Sequence, residues 1–101
     1  MSISQQSQTD HMEIPDEFGD VVKVLEEGAL KYGTNSWLLG KHFNHKDNHA
    51  SIFRHIAESS TGITQDVETG LHPLLHAACR CLMEYTLVSR GLDVKRDGKD
   101  G

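Results

Sequence analysis

Two histidines four residues apart, His72 and His76, open an apolar-periodic segment, and Asp66 and Glu68 stand just upstream of it. On a helix that spacing puts both imidazoles on one edge, where they can share a metal ion or flank one anion. A helix N-terminus adds amide donors and the positive end of a dipole, which favour phosphate. Carboxylates, imidazoles and a helix start therefore suit a divalent metal and a phosphorylated ligand. Two surface histidines on a solvated helix are the competing reading.

Three further groups carry chemistry. Arg54 and His55 are adjacent at the flank of a second apolar stripe. There Arg54 can clamp a phosphate with two prongs, and His55 can serve as a ligand or proton carrier. Lys31, Tyr32, Asn35 and Trp37 combine a cation, a hydrogen-bonding aromatic, an amide and a stacking surface, which are the needs of a nucleotide. A Trp that anchors the core is the alternative. Glu26 lies about 80° from Phe18 on a helical wheel and borders the apolar arc. A carboxylate there must find a cation or donors, or else reach water.

The elements that position these groups read as helices. Phe18, Val21, Val22, Leu25, Ala29 and Tyr32 draw one stripe along Asp16 to Tyr32, with Pro15 and two acidic residues at its start and Gly33 at its end. A long polar loop follows, interrupted by Trp37, Leu38, Leu39 and Phe43. A second helix is expected from about Asn48 to Ser60, burying Ile52, Phe53, Ile56 and Ala57. A third spans about Leu71 to Arg90, with Pro73 in its first turn and Leu71, Leu74, Leu75, Ala78, Leu82 and Tyr85 as its core stripe. No strand alternation or internal repeat intervenes. The fold expected is all-α: a small bundle of three main helices plus loop turns, which a partner chain completes.

Composition narrows the rest. Of 101 residues, the first 12 are Ser/Gln/Thr-rich and the last nine, 93–101, are charged, so both ends read as disordered tails around a domain at 13–92. A core of about 80 residues is marginal, which favours a homo-oligomer, dimer or tetramer. The net charge of −5 argues against nucleic-acid binding, and no apolar run is long enough for a membrane span. Cys79 and Cys81 would lie about 200° apart on a helix and cannot bridge each other, in keeping with a reducing cytoplasm.

Three motifs occur in order along Ile14 to Leu87: GALKYGTNSW at Gly28 to Trp37, RH at Arg54 and His55, and DVETGLHPLLHAA at Asp66 to Ala78. In this the chain resembles the phage dATP/dGTP diphosphohydrolase family, small relatives of the MazG-like all-α nucleoside triphosphate pyrophosphatases. The resemblance implies an all-α fold, subunit association and a divalent metal. It also implies cleavage of a deoxynucleoside triphosphate to monophosphate and pyrophosphate, in the host cytoplasm if the gene is phage-borne. It carries Lys31, Tyr32, Asn35, Trp37, Arg54, His55, Asp66, Glu68, Thr69, Gly70, His72 and His76. The sequence departs from the pattern at three points. The acidic pairs E-x-x-E and E-x-x-D of the wider superfamily are missing from adjacent helices. Ser36 precedes the Trp where Asn is common, and Pro73-Leu74 breaks the usual Leu-Pro-His-Leu order.

The reading is a nucleoside triphosphate pyrophosphohydrolase acting on purine deoxynucleotides. Glu68 and Asp66 are expected to hold the ion, with His72 or Glu26 completing its shell. His55 or His76 moves the proton, and Arg54 and Lys31 offset leaving-group charge. Magnesium prefers oxygen ligands, so a shell with histidine tilts towards manganese or cobalt. The alternative is a non-catalytic phage protein on the same scaffold that binds a host protein or senses nucleotides.

Overall fold

A computed structural model describes residues 13–39 and 43–92. The tails at 1–12 and 93–101, expected to be disordered, lie outside the described residues, as does the 40–42 segment with His42. Three α-helices, α1 (Val21–Tyr32), α2 (His45–Ser60) and α3 (Pro73–Ser89), account for the architecture, and no strand occurs among the described residues. A 3-10 turn over Asp16–Asp20 leads into α1 and another, Ser36–Leu39, follows it. α3 is central: α2 packs most extensively against it, and α1 packs against it too. No described helix is long and apolar enough to cross a membrane.

Capping explains where the helices begin and end. α2 starts three residues before the expected Asn48, because Asn44 is an N-cap whose side chain accepts from the Asp47 amide at 2.7 Å. Its own amide group donates back to the Asp47 carboxylate at 2.6 Å. α3 starts at Pro73 rather than Leu71, since His72 Nδ1 accepts from the Leu74 amide at 3.0 Å and makes His72 the cap. Both helices stop on glycines with left-handed backbone, Gly62 (φ 94°) and Gly91 (φ 67°). In each case the next amide reaches back over the last turn, Ile63 N–H to Glu58 C=O and Leu92 N–H to Leu87 C=O.

The buried faces differ from the expected stripes. On α2 the residues turned to α3 are Asn48 and His55, both buried, with Ile52 and Ser59 half-buried on the same face. Phe53 is 68% exposed, and Ile56 and Ala57 are exposed as well. On α3 the core is Pro73, Ala77, Cys79 and Leu87, while Leu74, Leu82 and Tyr85 face outwards. No residue of α1 is fully buried. The physical reason is a polar seam between α2 and α3. Asn48 Nδ2 donates to the Arg80 carbonyl (3.1 Å) and to Glu84 Oε1 (2.9 Å), and Arg80 Nη1 donates to Asn48 Oδ1 (3.2 Å). A satisfied amide can occupy a helix interface, and among the described residues no buried side-chain polar atom lacks a partner.

Candidate active site

Asp66 organises the connector between α2 and α3. Its Oδ2 accepts from the amides of Glu68 (3.0 Å) and Thr69 (3.1 Å), and its carbonyl accepts from the Gly70 amide (2.8 Å). The Asp66 amide donates to the Leu71 carbonyl at 2.8 Å, closing the loop. Gly70 (φ 73°) supplies the left-handed conformation that this turn needs. The run DVETG is thus a folded unit, an Asx-type turn that fixes one carboxylate beside the start of α3.

That carboxylate meets two groups from α2. His55, Glu58 and Asp66 each offer a ligand atom, all within 4.8 Å of one another. The His55 ring is buried, its Nδ1 lies 2.9 Å from Glu58 Oε1, and it stacks on His76 with centroids 4.8 Å apart. His76 Nε2 lies 2.8 Å from Thr69 Oγ1 and 3.9 Å from Asp66 Oδ2. Burial on its own would raise the Asp66 pKa, but the amide bonds from Thr69 and Glu68 and the nearby histidines outweigh it and hold the carboxyl below its ordinary value. His76 moves down from the usual 6.5, chiefly through burial, against the pull of Asp66. At neutral pH its imidazole is therefore a proton acceptor.

These groups sit in a cleft of about 770 Å³ lined by α1, α2, the connector and α3, within the range of small-molecule sites. Of the residues singled out from sequence, Lys31, Tyr32, Asn35, Trp37, Arg54, His55, Asp66, Glu68 and His76 all line it. Asn35 does so in a left-handed conformation (φ 55°), and Trp37 is half-buried. Glu68 is at the rim, its carboxylate 3.3 Å from Lys31 Nζ, in an exposed pair. Two expected metal ligands are elsewhere. Glu26 is exposed on α1 and His72 is engaged in capping α3, and neither lines the cleft.

Glu58 and Arg80 also line the cleft, and the sequence did not single them out. Glu58 is three residues after His55 and four after Arg54, so helical spacing alone puts it on their face. Arg80, four residues after His76, is half-buried, and burial together with the neighbouring Arg54 guanidinium lowers its pKa. Arg54 Nη2 lies 3.4 Å from His55 Nε2. Two guanidiniums beside two carboxylates make a site ready for a charged ligand with its own cation. Cys79 also reaches the cleft, but burial pushes its thiol up to about 11, so it is not a nucleophile. Cys81 is exposed, and both thiols are free.

The pKa shifts set a pH dependence. Below 6.5 the unfolded chain protonates at His76 while the folded chain resists, so stability falls as pH drops from 7 towards 5. The Asp66 contribution is present above 3.8 and is lost only as pH falls further, through its lowered folded value. Melting temperatures at pH 7, 6 and 5 should decline in the wild type and decline less in His76→Gln. Equal slopes in the two proteins would remove His76 as the source.

A family model described as dATP/dGTP diphosphohydrolase, N-terminal, matches residues 3–97. No curated protein and no solved structure matches the chain.

Proposed function

The chain belongs to the dATP/dGTP diphosphohydrolase family, and from that premise we propose that it hydrolyses dATP and dGTP to the monophosphate and pyrophosphate with a divalent cation. The observation that carries this reading is the convergence of His55, Glu58 and Asp66 on one point of a cleft rimmed by Lys31, Arg54 and Trp37.

Two carboxylates and an imidazole fit a magnesium or manganese ion, with the nitrogen tilting the choice towards manganese or cobalt. Bound there, the ion would offset phosphate charge and acidify the attacking water. Glu58 and Asp66 supply anionic oxygens, and Asp66 is held in place by the connector amides. Glu68 is a further oxygen donor once Lys31 exchanges it for a phosphate, which an exposed pair permits. His76, neutral and held by Thr69, accepts the proton of the water that attacks at one phosphorus of the α–β linkage. Arg54, Arg80 and Lys31 offset charge on the departing pyrophosphate. Trp37 and Tyr32 offer stacking faces to the base, and Asn35 an amide. His72 and Glu26 are left outside the shell.

Phosphate release, measured with malachite green and added pyrophosphatase, tests the reading across all dNTPs and NTPs with magnesium and with manganese. Release that depends on the pyrophosphatase and is highest with dGTP and dATP is expected. The rival, a non-catalytic nucleotide sensor or host-protein binder, draws on the missing acidic pairs and requires no release with any nucleotide.

The active form is proposed to be a homo-oligomer working in the cytoplasm. Phe53 and Ile56 on α2 and Leu74, Leu82 and Tyr85 on α3 are large apolar residues left exposed by the single chain. Light scattering should return a multiple of the 11.3 kDa chain mass, reduced by Phe53→Ser. A monomer mass for the wild type at micromolar concentration would overturn this.

A further inference from the structure

A second cluster of ligand-type side chains lies away from the cleft. His45 and His49 are four residues apart in the first turns of α2, and Glu84 comes from the facing side of α3. His45 Nδ1 is 2.6 Å and His49 Nε2 2.9 Å from the same oxygen, Glu84 Oε2. None of the three lines the cleft. We propose that His45 Nδ1, His49 Nε2 and the Glu84 carboxylate form a second divalent-metal site, for Zn²⁺ or a cation of similar borderline character, that clasps the start of α2 to α3.

The chemistry of the donor set is that of zinc: two imidazoles at i and i+4 and one carboxylate, with water completing a tetrahedron. Ligand atoms on such a shell stand about 3.4 Å apart. The three donors here, all within 4.8 Å of one another, need only small side-chain rotations to reach it. The supporting groups are already in place. Glu84 Oε1 accepts from Asn48 Nδ2 at 2.9 Å, and buried Asn48 is itself fixed by the carbonyl and guanidinium of Arg80. That leaves Oε2 aimed at the two rings, the kind of outer support that orients a ligating carboxylate. Each ring would carry its proton on the nitrogen facing away from the ion. Access comes from a shallow depression of about 310 Å³ that includes His49, Glu84 and Cys81.

The site would act on stability. An ion that binds the folded chain and not the unfolded one raises the melting temperature with its concentration, and this one ties together the two helices that supply His55, Glu58 and His76.

Untagged, chelator-stripped protein titrated with Zn²⁺ alone tests the idea, with stoichiometry, melting temperature and the visible spectrum of the Co²⁺ form as readouts. Because the cleft also has metal-ligand groups, Glu58→Gln serves to disable them. Zinc binding and its thermal shift should survive Glu58→Gln. They should weaken by roughly tenfold to a hundredfold or more in His49→Ala and in Glu84→Gln. Cobalt should give the intense visible band of a four-coordinate ion in the wild type and in Glu58→Gln, but not in His49→Ala. His49 is 43% exposed, so its removal opens no core cavity, and circular dichroism checks that the helices persist. His45→Ala is the second variant should either of the others fail to fold. Zinc stoichiometry, affinity and thermal shift unchanged in His49→Ala and Glu84→Gln would overturn the proposal, as would loss of all zinc binding in a folded Glu58→Gln. Neither result touches the nucleotide reading, which rests on pyrophosphate release.

Discussion

Glu58→Gln is expected to lower kcat for dGTP and dATP by about a thousandfold with either magnesium or manganese, close to 4 kcal/mol of transition-state stabilisation. Glu58 is the carboxylate that α2 contributes beside buried His55, with a side chain about a third exposed. The amide keeps its shape and one hydrogen-bond acceptor, so the fold is retained. What goes is the negative charge that would hold a divalent ion against the triphosphate. Circular dichroism and the melting temperature should stay near the wild type, which separates a chemical defect from an unfolded one. Glu68→Gln gives the contrast. Its carboxylate is at the rim and pairs with Lys31, so its loss should cost about tenfold and show mainly as weaker metal or substrate binding. A Glu58→Gln protein that turns over at the wild-type rate would remove the α2 carboxylate from the site.

Leu87→Ala should have the largest effect on folding. Leu87 is 1% exposed near the end of α3, and its carbonyl accepts from the Leu92 amide in the turn that closes the helix. Truncating such a leucine costs about 3 kcal/mol through lost transfer energy and the cavity left behind. In a domain this small that is a drop in melting temperature of roughly 15 °C. Phe53→Ala removes a larger side chain, yet the ring is 68% exposed, so the single chain should lose little and only self-association should suffer. Thermal denaturation monitored at 222 nm, over a range of protein concentrations, reads both effects. A Leu87→Ala melt within two or three degrees of the wild type would show that the core is not centred on α3.

Much of this protein was legible without coordinates. The three helices follow from apolar periodicity, and the glycine stop at Gly33 from the one residue that takes a positive φ without strain. Of the thirteen residues that residue type and family resemblance singled out, ten line one cleft, and Glu26, Gly70 and His72 do not. Helical spacing and a glycine stop depend only on neighbours within a few residues, so the helices themselves were legible.

What only the tertiary structure decided was which side of each helix meets another. The apolar stripe of α2 suggested Phe53, Ile56 and Ala57 as its inner face. The α2–α3 interface instead uses Asn48 and His55, because Arg80 and Glu84 on α3 satisfy Asn48 and Glu58 sits beside His55. Hydrophobic patterning cannot anticipate this, since the cost of burying an amide depends on a partner 32 or 36 residues away. The same pairing across α2, the connector and α3 brought Glu58 to Asp66 and left Glu26 and His72 apart from them. It also gathered His45, His49 and Glu84, three residues to which spacing along the chain had assigned no shared role.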